Sequence, residues 1–520
     1  MPSKSIVLTK IKPLLLSRKW EIGAWVVFIT FTLFLLLKHE PWLDESQAFL
    51  IARDAKNWPE LFKIMGYEGT PALWHIILRG LIKIFHFSFS DIRHFHWLLS
   101  AAVAAIWLLF SPLPRWQRIP LIFGYYFLYE YSIIARSYVL TVLLLFVLAM
   151  IYQSRFKRPL LYFAALTFLS QTNIHGFIIF FILTLFYLWE TRRQIYLKSI
   201  TKIILVLTTL ISIFTIWQVN PPPDLAKGLS WLRHPDLSHM FFATTDAFSP
   251  IPNLQPQFWD GHFLNILLTP TPYCPYYWLY YAGVYIIFGI VLFCLPLFVL
   301  NKRPLIVVYL TTWWCFNLIF LILHPGGFRH HGLIWVFFVF LWWISYYYPE
   351  EKTEILPLNK KLKNLLIALL IIMQLAGASI ATYYETKNVF AYGQPVVQYL
   401  KDNNYLTDKN LIITFHANVG ATIAPFLPNN FPTTYDLEYQ RPQTYVIWNK
   451  NYGLSQDWKV NDLIAAIDQA KKERPSDQTI LLSFRQIIDS KFFHRFKLVK
   501  SFTNAIQIDS NCYIYLDTQP

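Results

Sequence analysis

The sequence predicts a polytopic α-helical membrane protein with a small α/β domain after its last span. Three observations carry this. Of 520 residues, 55% are hydrophobic and 18% aromatic while 14% are charged, and mean hydropathy is +0.38; a soluble globular chain has no such balance. Apolar runs of span length recur up to about residue 384, divided by short connections that carry the basic residues. From about residue 385 the composition becomes that of a soluble domain. The formal charge of +15 is scattered between apolar runs rather than gathered in a groove. It reads as topology signals and argues against a nucleic-acid partner.

In chain order, Lys4, Lys10, Lys12, Arg18 and Lys19 place the N-terminus in the cytoplasm. The apolar run Ile22–Leu37 has no small-residue cleavage site after it and reads as an uncleaved first span. Residues 39–92 then form a long external loop. Within it, Pro71–Phe87 is apolar but interrupted by His75, Arg79, Lys83 and His86, so it predicts a helix along the interface rather than across the membrane.

Further spans are expected near 93–111, 118–135, 136–153, 158–174, 175–191, 199–218, 276–300, 303–323, 330–348 and 363–384, eleven with the first. Alternate connections hold Arg115 and Arg118, Arg155 to Arg158, Arg192 to Lys198, Lys302 and Arg303, and Lys360 to Lys363, all on the side of the N-terminus. Two external pieces remain. One is a Pro- and aromatic-rich loop, 219–275, whose aromatics (Trp231, Trp259) predict order. The other is an α/β domain, 385–520, with strands at 411–415, 445–448, 479–482 and 513–516 and helices at 396–402 and 460–472. The four cysteines, Cys274, Cys294, Cys315 and Cys512, lack metal-ligand spacing.

Ionisable groups at the membrane edge are functional candidates because burying them is costly. The central stretch is Pro41–Asp54, which leaves the first span with Asp44 and Glu45 side by side and Arg53 at its far end. Ala48, Ile51, Ala52 and Ala55 give it an apolar helical face. A bland reading makes Asp44 an N-cap with Gln47 three residues on. Glu68 follows, before a Gly and a Pro-started helix; Glu130 and Arg136 with Tyr138 flank a tight turn; Arg329, His330 and His331 open a later span.

Each group has a structural alternative: Glu130 can pair with Arg136, and Arg329 to His331 can anchor headgroups. In the predicted topology all of them nevertheless reach one face. Carboxylates can deprotonate a hydroxyl or amine, and arginine forks can hold a phosphate. Adjacent carboxylates near lipid are expected to raise one another's pKa. A base and cations suit displacement of a sugar from a lipid phosphate. Phosphate leaves readily, so this needs no second carboxylate acid.

The stretch Trp42-Leu43-Asp44-Glu45 with Arg53, then Glu68-Gly-Thr-Pro71, then Glu130 to Arg136-Ser-Tyr138, resembles the GT-C superfamily of polyprenyl-phosphate-dependent glycosyltransferases. It is closest to the family 39-like branch of protein O-mannosyltransferases and aminoarabinose transferases. The resemblance covers roughly the first 220 residues, and Arg329-His330-His331 departs from the Arg-Tyr pattern expected late in such chains.

It implies a hexosyl- or pentosyltransferase that acts with inversion. The donor is a polyprenyl-phosphate sugar, and the acceptor is an extracytoplasmic lipid, glycan or protein. Asp44 is then the base, with Glu45 and Glu68 as further catalytic candidates. Arg53, Glu130, Arg136, Tyr138, Arg329, His330 and His331 are the candidates for holding substrate. The expected location is a bacterial inner membrane among membrane lipids, with the C-terminal domain outside. Sugar, acceptor and help from a divalent cation stay open. The alternatives are an ion-coupled transporter using Asp44, Glu45 and Glu68, disfavoured by few mid-depth acids and no repeat, and an inactive scaffold of a glycan assembly complex.

Overall fold

A computed structural model describes residues 18–192, 198–226, 238–264, 277–349, 358–428 and 431–519. Lys4, Lys10, Lys12, Arg193, Trp231 and Cys274 lie outside the described residues. The chain is mostly helical, with a small sheet domain at its C-terminal end. Among the described residues, seven helices are long and apolar enough to cross a membrane: Lys19–Lys38, Phe89–Phe110, Ile174–Thr191, Ser199–Val219, Gly283–Leu300, Arg303–Ile322 and Lys360–Lys387. They correspond to seven of the expected spans.

The other expected spans take different forms. Residues 136–153 and 158–174 are the shorter apolar helices Tyr138–Ile151 and Pro159–Ser170. Residues 330–348 correspond to Phe328–Ser345, whose residues from His331 to Ile344 are all buried. A helix apolar all round belongs at the centre of a bundle. Residues 118–135 do not form one helix. Pro120 sits inside Arg115–Ile122, the chain turns at Phe123–Gly124, and a π-helical turn, Tyr126–Glu130, follows. A Cβ on Gly124 would meet Gln374 Cβ at 2.9 Å, so the turn is also where the chain touches Lys360–Lys387.

Helix Lys19–Lys38 spans about 30 Å at 1.5 Å per residue, which separates two polar ends. At its start Glu21 is gripped by Arg115 (2.9 Å) and by Arg118. At its finish Arg93, on the next long helix, donates to Leu36 O (2.7 Å) and His39 O (2.6 Å). Both long helices therefore meet at this end, and residues 39–88 between them stay on it. Helix Leu73–Phe85 lies between these two meeting ends and therefore does not cross. It packs on helix Leu43–Asp54, and Arg79 donates to the carbonyls of Ala52 and Ala55 (3.1 and 2.7 Å).

The region 219–275 is not simply a loop. Ser238–Phe248 is a helix packed on Tyr277–Leu300 and Phe328–Ser345, where Phe248 meets Trp335 and Phe338. The C-terminal domain is a six-stranded mixed sheet. Its strands are β1 (Asn410–Phe415), β2 (Tyr435–Asp436), β3 (Arg441–Pro442), β4 (Gln478–Ser483), β5 (Phe496–Phe502) and β6 (Cys512–Asp517), in the order β3-β2-β1-β4-β6-β5. The central parallel pair β1 and β4 is buried on both faces, with helices Gly393–Asp402 and Val460–Glu473 in its two cores.

Three of the four expected strands are present. Residues 445–448 are not a strand. They form an extended segment whose Val446 backbone bonds both amide atoms of Gln47, at 2.7 and 2.8 Å. The β-prone run is used to fasten the domain to the helices.

Candidate functional site

Helix Leu43–Asp54 sets the site. Its N-cap is Trp42, not Asp44, and Glu45 at the third helical position accepts the Trp42 N–H at 3.2 Å. Asp44 is left free to point elsewhere. Its Oδ2 pairs with Arg136 and, at 3.2 Å, with Arg329. Three of the expected site residues, far apart in sequence, thus meet at one atom. Their side chains stay 16–23% exposed, so a substrate can reach them.

Arg136 is held by its setting. Burial works against its charge, but the Asp44 carboxylate outweighs this and raises its pKa. Its guanidinium lies 5.9 Å from the Tyr138 ring centroid. Arg329 lies against two indoles, Trp42 at 5.2 Å and Trp259 at 5.4 Å, which meet edge-on. Its Nε has no protein partner.

Asp44 borders three cavities. The largest, about 550 Å³, is walled by Trp42, Trp259, Arg329 and His331 from the helices and by Asn418, Trp448 and Tyr452 from the C-terminal domain. A second, about 430 Å³, shares Asp44, Arg329 and Trp448 with it, adds Glu68 and Arg136, and is walled mainly by apolar residues such as Val219, Ile319, Phe320 and Leu323. A third, about 140 Å³, lies between Asp44, Glu68, Arg136 and Tyr138.

Glu68 accepts from Gln47 Nε2 (2.8 Å) and Trp448 Nε1 (2.9 Å), and burial raises its pKa. It borders the two smaller cavities. His330 borders them too, whereas His331 faces the largest and bonds Asp246 Oδ2 (2.8 Å) and Pro325 O (2.9 Å).

Three expectations are corrected. Glu45 is not a second base beside Asp44. It is buried, contacts His39 Nε2 at 2.9 Å and accepts the Ala135 N–H at 2.8 Å. Burial would raise its pKa, but His39, Arg93 and the Ala135 N–H together outweigh burial and lower it, opposite to the expected mutual raising of adjacent acids. Arg53 is not at the site; it forms a fork with Asp54 (2.6 and 2.9 Å) beside a separate cavity under Thr444 and Tyr445. Glu130 pairs with Tyr125 Oη (2.9 Å) and Trp259 Nε1 (3.0 Å) rather than with Arg136, so it supports the indole under Arg329 without bordering the cavities named above.

His39 joins Glu45 to Glu385 on the last long helix, both at 2.9 Å. Burial alone would lower its pKa, but the two carboxylates raise it from about 6.5 to about 10. A raised histidine pKa contributes stability that is fully present below 6.5 and lost as pH rises through about 10. The thermal midpoint of the protein should therefore fall towards pH 10. That alkaline loss should shrink in His39→Phe, itself less stable at neutral pH; equal alkaline slopes in both proteins would contradict the network.

Sequence reasoning missed the contribution of the C-terminal domain. Asn418 and Tyr452 face the 550 Å³ cavity and touch at 3.4 Å. They are fixed by Glu438, which accepts from the Ala417 N–H (3.1 Å), the Gly453 N–H (3.2 Å) and Ser455 Oγ (2.5 Å). His416, at φ +81°, turns the chain sharply from β1 into the helix that carries Asn418. It also missed His75 and His175, which read as part of an interfacial base ladder and an apolar span.

Among the described residues, no group of three or more His, Cys, Asp or Glu is placed to hold a metal ion. No protein-family model and no curated protein matches the chain.

Proposed function

We propose that the protein is a membrane glycosyltransferase of GT-C type that moves a sugar from a polyprenyl-phosphate donor to an acceptor, with Asp44 as base. The observation that carries this reading is the Asp44–Arg136–Arg329 cluster where an apolar and a more polar cavity meet. An isoprenoid chain suits the apolar cavity and a polar acceptor the one roofed by the C-terminal domain.

In the free protein the Asp44 carboxylate occupies both guanidinium groups. A donor phosphate accepts from the same forks in the same bidentate way, so its binding displaces Asp44 and releases the carboxylate. Asp44 then takes the proton of an acceptor hydroxyl or amine as the acceptor atom attacks the anomeric carbon. The bond from that carbon to the phosphate oxygen breaks on the opposite face. Its electron pair goes to polyprenyl phosphate, held by Arg136 and Arg329, and the anomeric centre inverts. Glu68 is the second candidate for the proton.

Counting Tyr138–Ile151, Pro159–Ser170, Phe328–Ser345 and the broken segment 115–130 as crossings completes eleven. The site and the C-terminal domain then lie outside the cytoplasm. A reporter fused after Pro520 that works only outside the cytoplasm should be active, and cytoplasmic activity would overturn the topology. The activity itself is tested by incubating the purified chain in nanodiscs with polyprenyl-phosphate sugars and candidate acceptors. Release of sugarless polyprenyl phosphate that depends on acceptor is expected, and its absence with every donor counts against the reading.

A further inference from the structure

The small cavity beside Asp44 shares His175 and His330 with the apolar cavity but alone is bordered by Ala48, Trp74 and His75. It holds about 140 Å³ and is bordered by Ala48, Trp74, His75, His175 and His330 as well as the acids and Arg136. Both ring nitrogens of His75 and of His175, the Trp74 indole nitrogen and His330 Nδ1 are buried without a protein partner. Trp74, His75 and His175 are at most 5% exposed. Unpartnered buried polar atoms are costly, and here they gather round one space open to polar ligands.

Burial lowers the His75 pKa to about 3, with the Arg136 charge acting in the same direction, so its imidazole is neutral at physiological pH. A neutral imidazole offers one donor and one acceptor, the pairing that a hydroxyl satisfies. The indole of Trp74 and the ring of Tyr138 supply the flat apolar surface against which a sugar ring packs.

We propose that this cavity is the subsite for the donor's sugar, and that it takes a single pyranose or furanose ring, a hexose or pentose without an N-acetyl arm. The inference rests on the transferase reading above. Size sets the upper limit, since the space is of the order of one sugar ring and is closed by Ala48, one helical turn beyond Asp44 on the same face. The subsite puts the anomeric carbon next to both Asp44 and Arg136, which border the same space.

The test measures binding of a short polyprenyl phosphate to the full-length protein in nanodiscs, bare and bearing a hexose, a pentose or an N-acetylhexosamine. Two or more neutral hydrogen bonds should make the hexose or pentose carrier bind roughly tenfold tighter than the bare carrier. The N-acetylhexosamine carrier should show no such gain. His75→Phe, which keeps a flat ring but no nitrogens, and Ala48→Leu, which fills the space, should each abolish the gain while the bare carrier binds as before.

A gain that persists in whichever of these variants keeps the wild-type thermal midpoint, or no gain in the wild type, overturns the subsite. An equal gain for the N-acetylhexosamine carrier overturns its selectivity. Failure of the wild type to bind even the bare carrier counts instead against the transferase reading itself.

Discussion

Asp44→Asn should abolish transfer while leaving the protein folded. Loss of a positioned base costs on the order of 100- to 10,000-fold in rate. The substitution disturbs no cap, because Trp42 and Glu45 close the start of helix Leu43–Asp54. It removes the shared partner of Arg136 and Arg329, so a modest fall in thermal midpoint accompanies the loss. Glu68→Gln should cost less, since the amide can still accept from Gln47 and Trp448. Glu45→Gln should act mainly on stability, because its carboxylate faces His39 and not a cavity. Transfer at the wild-type rate by a folded Asp44→Asn protein would remove the base from the mechanism.

The second large effect is expected at Arg329. Each hydrogen bond to a charged group contributes about 1.5–3 kcal/mol, so Arg329→Ala should lower kcat/KM for the donor by roughly 10- to 100-fold. Arg329→Lys should recover little. An ammonium lacks the planar, delocalised cation that rests against the Trp42 and Trp259 indoles. Arg136→Lys keeps the charge and loses the fork, and should weaken donor use about tenfold. Arg53→Gln serves as the contrast: its partner is Asp54 and its cavity a different one, so donor kinetics should barely change. Unchanged kinetics in both Arg136→Lys and Arg136→Ala would make that residue structural.

These contrasts show which parts of the site were legible in the sequence. Asp44, Arg136 and Arg329 stood out because each is a charge placed beside an apolar run, a costly position on any reading. Glu45 misled because adjacency in sequence is not adjacency in space: neighbours on a helix point about 100° apart. Asp44 therefore faces the cavities while Glu45 turns to His39 and Glu385, the latter contributed by the last long helix. Arg53, nine residues on, falls about 180° from Asp44, so helical spacing already set it on the far face.

The break at 118–135 was signalled by Pro120 and Gly124 but was hidden by the apolar run around them. Trp448, Asn418 and Tyr452 were beyond sequence reasoning, because what brings them over the site is docking of a separate domain through Val446 and Gln47. Histidines 75 and 175 carry their signal in unpartnered nitrogens, which exist as an observation once neighbours are placed.

The most direct measurement is mass spectrometry of lipid carriers from cells lacking this chain, complemented with wild-type protein or with Asp44→Asn. A transferase that uses a polyprenyl-phosphate sugar predicts that one such donor accumulates in the deletion, is cleared by the wild-type chain and stays high with Asp44→Asn. Carrier and glycan profiles identical in all three strains would contradict it and would favour a transporter or a scaffold.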